Sequence, residues 1–283
     1  MTITIPTTEV TIELLSVGNE LLSGTTVNSN AHWISGKITK AGGSVKRITV
    51  VGDDVYEISS VVNESLRRRP SWLIISGGLG PTYDDNTLQG VSSALSLELV
   101  LDQNAVEMLK KSYERRSSTR NYELNDTRLK MAKIPMGSIP IQNPVGSAPS
   151  VLIEEDTIPD QRKTKIVCLP GVPKEMEAIF SQTILPQIKE TIGNYYITES
   201  VYGTIGISEA MLAPTLSKIV ESYSPDSIYL KTHPQGYTEN DDKPRLDIQI
   251  VSKGKNKPEV QMRYNDILNI LTEEIHRLGG KIS

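Results

Sequence analysis

The densest chemistry in the chain lies in residues 76–87, SGGLGPTYDDNT. Gly77, Gly78 and Gly80 let a backbone approach a ligand closely and take up positive φ. Backbone N–H groups there, and at the start of a following helix, suit a phosphate or another anion. The spacing predicts a helix over 84–95, which puts Asp84 and Asp85 in its first turn, where the helix dipole favours carboxylates. Glycines alone would read as a tight turn with an acidic cap. With Pro81, Thr82, Asp84, Asp85 and Thr87 beside them they point to function. Paired carboxylates next to a phosphate cradle are what divalent-metal phosphotransfer or hydrolysis needs. Two commoner motifs do not fit. A P-loop has lysine where Pro81 stands. A dinucleotide fingerprint follows the first strand with G-x-G-x-x-G, whereas this loop follows the third strand with Gly-Gly-x-Gly.

Two further acidic positions can reach the same place. Asp53 and Asp54 follow the second predicted strand, and Asp54 suits a helix N-cap. Glu20 follows the first strand within residues 18–24, GNELLSG, and is either loop polarity or a ligand contact. Parallel strands bring their C-terminal ends to one sheet edge, where open α/β sheets bind ligands.

The elements that must position these residues alternate. Strands are expected at 11–17, 44–51 and 72–76, with helices at 28–41 and from Asp53 or Asp54 to 69. The run WLIIS (72–76) is apolar throughout, as at the centre of a parallel sheet. Residues 102–133 read as charged helix, 151–154 and 165–169 as strands, and Pro173 opens another helix. After residue 193 the rhythm becomes βαββα: strands at 195–203, 228–232 and 245–251, helices at 208–220 and 258–278. Residues 233–243, HPQGYTENDDK, read as an exposed hairpin loop. The expected class is α/β, a three-layer sandwich with a mostly parallel sheet over 1–193 and a smaller α+β domain over 194–283.

The remaining conspicuous residues have plain explanations. Residues 67–69, three arginines, sit at a predicted helix C-terminus, where cations offset the dipole. Five basic residues over 110–120 read as a solvated helix face, or as a phosphate-binding lid. Cys168, the single cysteine, lies in an apolar strand and reads as a buried thiol. With one cysteine and three scattered histidines, neither a disulfide framework nor a cysteine-based zinc site is expected.

The 283 residues are 37% hydrophobic and 23% charged, which describes a folded chain. A formal net charge of -4 argues against a general grip on nucleic acid or anionic membrane. No secretory signal opens the sequence and no apolar run approaches the ~18 residues of a membrane span, so a cytoplasmic location is expected.

Taken together, GNELLSG, Asn28-Ser29-Asn30, Asp53-Asp54 and SGGLGPTYDDNT resemble the molybdopterin-binding-like domain shared by MogA, MoaB and the CinA family. Residues 143–149 (NPVGSAP) and 169–176 (LPGVPKEM) resemble CinA segments in particular, and 206–209 (GISE) the opening of that family's KH-like module. The likeness spans about residues 10–250. It departs from the family pattern at Asn28-Ser29, Gly52 and Ser150, none of which removes a carboxylate. Many bacterial CinA proteins carry a further amidase domain; this chain stops about where that would begin, so amidase activity is not expected.

The resemblance implies metal-dependent hydrolysis of the diphosphate in ADP-ribose or a related dinucleotide. Alternatives are a molybdopterin-binding or adenylyltransferase role and a non-catalytic nucleotide-binding role. It implies Asp53 and Asp85 as the catalytic pair, with Asp53, Asp84 and Asp85 holding Mg²⁺, Mn²⁺ or Co²⁺. Substrate contacts are expected from Gly18, Asn19, Glu20, Asn30, Gly77, Gly78, Gly80, Thr82, Thr87, Asn143, Gly146 and Glu175. The partner is a small nucleotide or pterin ligand, with no membrane, and a homo-oligomer is expected. Residues 203–206, Gly-Thr-Ile-Gly, fit the GXXG string of a nucleic-acid-binding KH loop, but no Lys or Arg lies nearby to hold phosphates, so RNA is not the expected partner.

Overall fold

A computed structural model describes residues 10–116, 124–156, 163–238 and 242–283. Contacts divide the chain into two units, Met1–Ile192 and Gly193–Ser283. The first opens with β1 (Thr11–Val17), α1 (Asn19–Leu22), α2 (Ser29–Lys40), β2 (Ser44–Val51), α3 (Val55–Arg68), β3 (Trp72–Ser76) and α4 (Thr87–Leu95). It continues with β4 (Leu99–Leu101), α5 (Gln103–Arg116), α6 (Asp126–Leu129), β5 (Lys133–Pro135), β6 (Ile139–Ile141), β7 (Ser150–Asp156), β8 (Lys163–Leu169), α7 (Pro173–Ile179) and α8 (Leu185–Ile192). A six-stranded sheet runs β2-β1-β3-β8-β7-β6. Its first three pairings are parallel, and β7 and β6 are antiparallel.

Strand alternation builds two cores from one sheet. Leu15, Val17, Leu73, Ile75, Ile166 and Cys168 join Ile58 and Val62 of α3, Val91 of α4 and Leu109 of α5. Their neighbours Leu14, Ile74 and Val167 are equally buried and face the other way. On that side α2 meets α7 and α8, and the Trp33 and Phe180 rings pack edge to face at 5.7 Å. The result is the expected three-layer α/β arrangement with a largely parallel sheet. The caps follow local chemistry. Asn28 accepts from the Ala31 N–H, and Asp54 accepts from the Tyr56 and Glu57 N–H groups at 2.8 and 3.0 Å. Such a cap contributes about 1 kcal/mol.

In the second unit, β9 (Tyr196–Ile205), α9 (Glu209–Ser222), β10 (Ile228–Tyr237), β11 (Pro244–Gly254), α10 (Lys257–Arg277) and β12 (Lys281–Ile282) form an antiparallel sheet ordered β10-β11-β9-β12. Leu246, Ile248 and Ile250 of β11 bury against Leu212 and Ile219 of α9 and Ile267 and Leu271 of α10.

Several expectations change. The helix placed over 84–95 begins only at Thr87, because Asp84 and Asp85 are held in a turn by Thr82. The helical stretch 102–133 breaks into α5, α6, a 3₁₀ turn and the start of β5, and 117–123 lie outside the described residues. The hairpin loop expected at 233–243 is strand as far as Tyr237. A register irregularity between Pro234 and Tyr237 absorbs the Pro and Gly that suggested a loop. Residues 239–241 lie outside the described residues, as do 1–9. Gly203, Thr204 and Ile205 of the GXXG string belong to β9 and pair with β11, so the string is no loop. Short elements α1, β4, β5, β6 and β12 carried too few residues for a periodic signal.

One buried charge anchors this sheet to its helices. Glu13 of β1 is 6% exposed and takes the Arg68 guanidinium at 2.7 Å through both oxygens, with Ser65 Oγ at 2.8 Å. Burial works against its ionisation, but the Arg68 and Ser65 hydrogen bonds outweigh it and hold the carboxyl below its usual range. A carboxylate depressed in the fold stabilises above its unfolded pKa, and the contribution fades as pH falls through the folded value. Glu13→Gln is therefore expected to lose about 2 kcal/mol at pH 7. The difference from wild type should shrink on acidification, as read by urea unfolding across pH.

Candidate functional site

The parallel pairings set where the loops go. β1, β2, β3 and β8 all end at one sheet edge, at Val17, Val51, Ser76 and Leu169. The antiparallel β7 starts there, with Val151 opposite Cys168, so the segment before it arrives at the same edge. Together these segments enclose a cavity of about 550 Å³.

Asp53 is the knot between the first three loops. Its Oδ2 accepts from the Asn19 N–H at 2.9 Å, and Asn19 Oδ1 accepts from the Asp53 N–H at 3.4 Å. Asn86 Nδ2 donates to the Asp53 carbonyl at 2.9 Å. The glycine loop is bound to the sheet by backbone. The Gly77 N–H donates to Leu169 O at 3.0 Å and the Thr87 N–H to Gly78 O at 3.2 Å, while Thr87 Oγ1 donates to Gly77 O at 2.8 Å. Gly77 and Gly78 have φ of 108° and 63°. A side chain on Gly77 would strike the Val17 carbonyl, and one on Gly78 the Thr87 hydroxyl. Among the described residues, no acceptor meets the N–H groups of Gly78, Leu79 and Gly80. Consecutive backbone donors without a protein acceptor, in a loop that lines a cavity, are groups that an anion can use.

The acidic side is crowded. Glu20, Asp53, Asp84, Asp85 and Glu175 line the cavity, and among the described residues no Lys, Arg or His does. Asp85 Oδ2 accepts from the Thr82 N–H at 2.8 Å and from Thr82 Oγ1. Thr82 Oγ1 also lies 2.6 Å from Asp84 Oδ1, and Lys130 Nζ donates to the Thr82 carbonyl. Burial raises the Asp53 pKa and its acidic neighbours Glu20, Asp84 and Asp85 add to the rise, against the pull of the Asn19 N–H. Asp84 goes the other way, lowered by its Thr82 hydrogen bond first. Burial pushes the Cys168 thiol up to about 12, which makes it inert.

A model described as "Probable molybdopterin binding domain" matches residues 13–190. The chain belongs to that family. Along nearly its whole length it is 40% identical to a protein of Sulfurisphaera tokodaii over 270 residues, 95% of this chain and 97% of the relative. A protein of Metallosphaera sedula is 38% identical over 272 residues, 96% of this chain and 97% of the relative. Within the molybdopterin-binding-domain family the chain is of the CinA type. A crystal structure described as the protein CinA with unknown function from Thermoplasma acidophilum is 39% identical. It covers 63% of this chain and 98% of its own, with a TM-score of 0.55.

In this CinA-type chain, Gly18, Glu20, Asp53, Gly77, Gly78, Gly80, Thr82, Asp84, Asp85 and Glu175 all line the cavity. Asn30 lines a smaller recess of about 90 Å³ that shares Glu20, Gly77 and Gly171 with it; its Nδ2 donates to Gly171 O at 2.8 Å. Asn19, Thr87, Asn143 and Gly146, expected as ligand contacts, do not line the main cavity. Asn19 and Thr87 tie loops together. Asn143 is fully buried, accepting from the Val145 and Gly146 N–H groups and donating to Ala148 O and to Glu175 Oε2 at 2.7 Å. A side chain on Gly146 would overlap the Glu175 carboxylate.

Each carboxylate of the expected metal trio is engaged by a neighbouring residue. Among the described residues no group of three or more His, Cys, Asp or Glu has metal-holding geometry. Asp53 is turned towards Asn19, and Asp84 and Asp85 towards Thr82, so Asp53, Asp84 and Asp85 are no preassembled cage. Sequence reasoning missed Tyr113, Met131 and Ser147 on the cavity wall. Tyr113 and Met131 lie in a charged stretch of helical pattern with no motif, and Ser147 lies inside NPVGSAP.

Because the Asp53 pKa is raised in the fold, its ionised form costs stability above the unfolded pKa. Asp53→Asn keeps an acceptor for the Asn19 N–H and removes the charge. It is expected to melt above wild type at pH 7 and level with it at pH 3, in thermal scans at both pH values.

Proposed function

We propose that this protein hydrolyses the diphosphate of ADP-ribose or a related dinucleotide with the help of a divalent cation. The observation that carries this reading is the cavity's composition among the described residues: three backbone N–H groups without an acceptor and five carboxylates line it, and no basic side chain does. The N–H groups suit phosphate oxygens. The carboxylates would repel a bare diphosphate, so a cation has to accompany it. An all-oxygen donor set fits a hard ion, Mg²⁺ or alternatively Mn²⁺ or Co²⁺. Asp53 and Asp85, with the substrate's own phosphate oxygens, would hold it. That arrangement needs no cage of three protein ligands. The ion would neutralise charge on the phosphate oxygens.

The chain's own residues divide the remaining work. Asp84 is held ionised by its Thr82 hydrogen bond. Water adds to one phosphorus and the bridging P–O bond breaks. The water's proton passes to solvent, and the leaving phosphate departs with the electron pair of the broken bond. Asn143 holds Glu175 at the wall, where Gly146 leaves room for its carboxylate, and Thr82 holds Asp85. The description of the matching family favours a second reading, in which the same cradle holds the phosphate of a molybdopterin.

The test incubates the protein with ADP-ribose, FAD, NAD and ATP, each with Mg²⁺, Mn²⁺ or Co²⁺, beside Asp85→Asn. AMP and ribose 5-phosphate are expected from ADP-ribose, with kcat lowered at least about 100-fold in the variant. No turnover of any substrate, or full activity in Asp85→Asn, overturns the reading. Binding of a pterin phosphate without turnover moves the function to the second one.

A further inference from the structure

The cavity has a second wall of different chemistry. Leu79, Met131, Ala148 and the Tyr113 ring line it. All four belong to, or pack against, the same apolar core cluster, so they form one continuous surface. The rest of the lining is largely glycine, carboxylate and small polar groups. An apolar wall facing an acidic cradle leaves room for a ligand with a flat uncharged part and an anionic part. The volume of about 550 Å³ lies in the range of small-molecule sites and exceeds what a diphosphate alone needs.

Tyr113 is the element of this wall with a defined face. α5 carries it, with Leu109 and Ser112 fully buried alongside, while its own ring stays half-buried at the cavity. The Arg128 guanidinium lies 4.8 Å from the ring centroid, a stacking contact that fixes the ring's orientation. Arg128 is itself placed by α6, whose N-cap Asn125 accepts from the Arg128 N–H at 3.1 Å. Met131 adds a polarisable thioether, which makes favourable contacts with aromatic rings.

We propose that Tyr113, with Met131, is the platform for a planar heteroaromatic ring of the ligand, and so decides which diphosphates the site accepts. The inference rests on the phosphate-binding reading of the glycine loop but not on hydrolysis. The ring is a purine or a pterin, both of which offer the same flat π surface to the tyrosine.

The test measures binding by calorimetry, with Mg²⁺ present, of AMP, neopterin monophosphate, ribose 5-phosphate and inorganic pyrophosphate. Wild type is compared with Tyr113→Phe, Tyr113→Leu and Tyr113→Ala. Leu keeps apolar bulk against the core and serves if Ala fails to fold. Tyr113→Leu and Tyr113→Ala are expected to weaken the preferred ring-bearing ligand at least about tenfold. Ribose 5-phosphate and pyrophosphate should stay within about twofold, and Tyr113→Phe should match wild type. A 2-aminopurine nucleotide should lose fluorescence on binding to wild type and not to Tyr113→Leu. Preference between AMP and neopterin monophosphate identifies the ring. Equal weakening of all four ligands, unchanged AMP and pterin binding in Tyr113→Leu, or wild type that holds ribose 5-phosphate as tightly as both ring-bearing ligands overturns the proposal. Ring-selective binding with no hydrolysis of ADP-ribose would sink the pyrophosphatase reading and leave this one standing.

Discussion

Parallel pairing of β1 with β2 and β3, and of β3 with β8, is the constraint from which the rest of the first unit follows. Parallel strands end at the same edge, so the segments after Val17, Val51, Ser76 and Leu169 cannot avoid one another. Each must find partners for its backbone at that edge, and those partners are the loops' own side chains. Asp53 meets Asn19, Asn86 meets Asp53, and Asn30 meets Gly171. A cavity is left where these brackets hold the loops apart.

The brackets also set the electrostatics. Five carboxylates line one cavity and, among the described residues, no basic side chain does. Burial raises the Asp53 pKa, and the charges of Glu20, Asp84 and Asp85 add to the rise. Asp84 is lowered, through its Thr82 hydrogen bond first. Opposed shifts in neighbouring carboxylates occur at sites that move protons, and structural ion-pair networks produce them as well. Near the other end of β1, Glu13 pairs with Arg68 of α3.

The two walls of the cavity answer different questions. The glycine and carboxylate wall belongs to loops whose conformation admits little change. Gly77 and Gly78 have no space for a side chain. The apolar wall of Tyr113, Met131 and Leu79 is an outgrowth of the core beneath it. Such a wall can vary in shape without disturbing the glycine loop.

The sequence by itself determined the alternation of strands and helices, the three-layer class and the collection of Gly18, Glu20, Asp53, the glycine loop and Asp85 at one edge. Those signals are local: apolar runs of strand length, caps such as Asp54, and glycines where backbone must turn. Tertiary structure alone decided what each polar residue does. Asn143 and Thr87 look like ligand contacts in a motif and are buried brackets, because their hydrogen bonds go to groups up to 32 residues away, such as Glu175. Asp85 left the predicted helix because Thr82 satisfied its carboxylate first. Tyr113 carried no signal at all, since a half-buried tyrosine on a charged helix looks like any other until the segment before β7 and the glycine loop line one cavity with it. Periodicity records which face of an element is buried; which neighbour it is buried against depends on contacts between distant segments, which only the fold brings about.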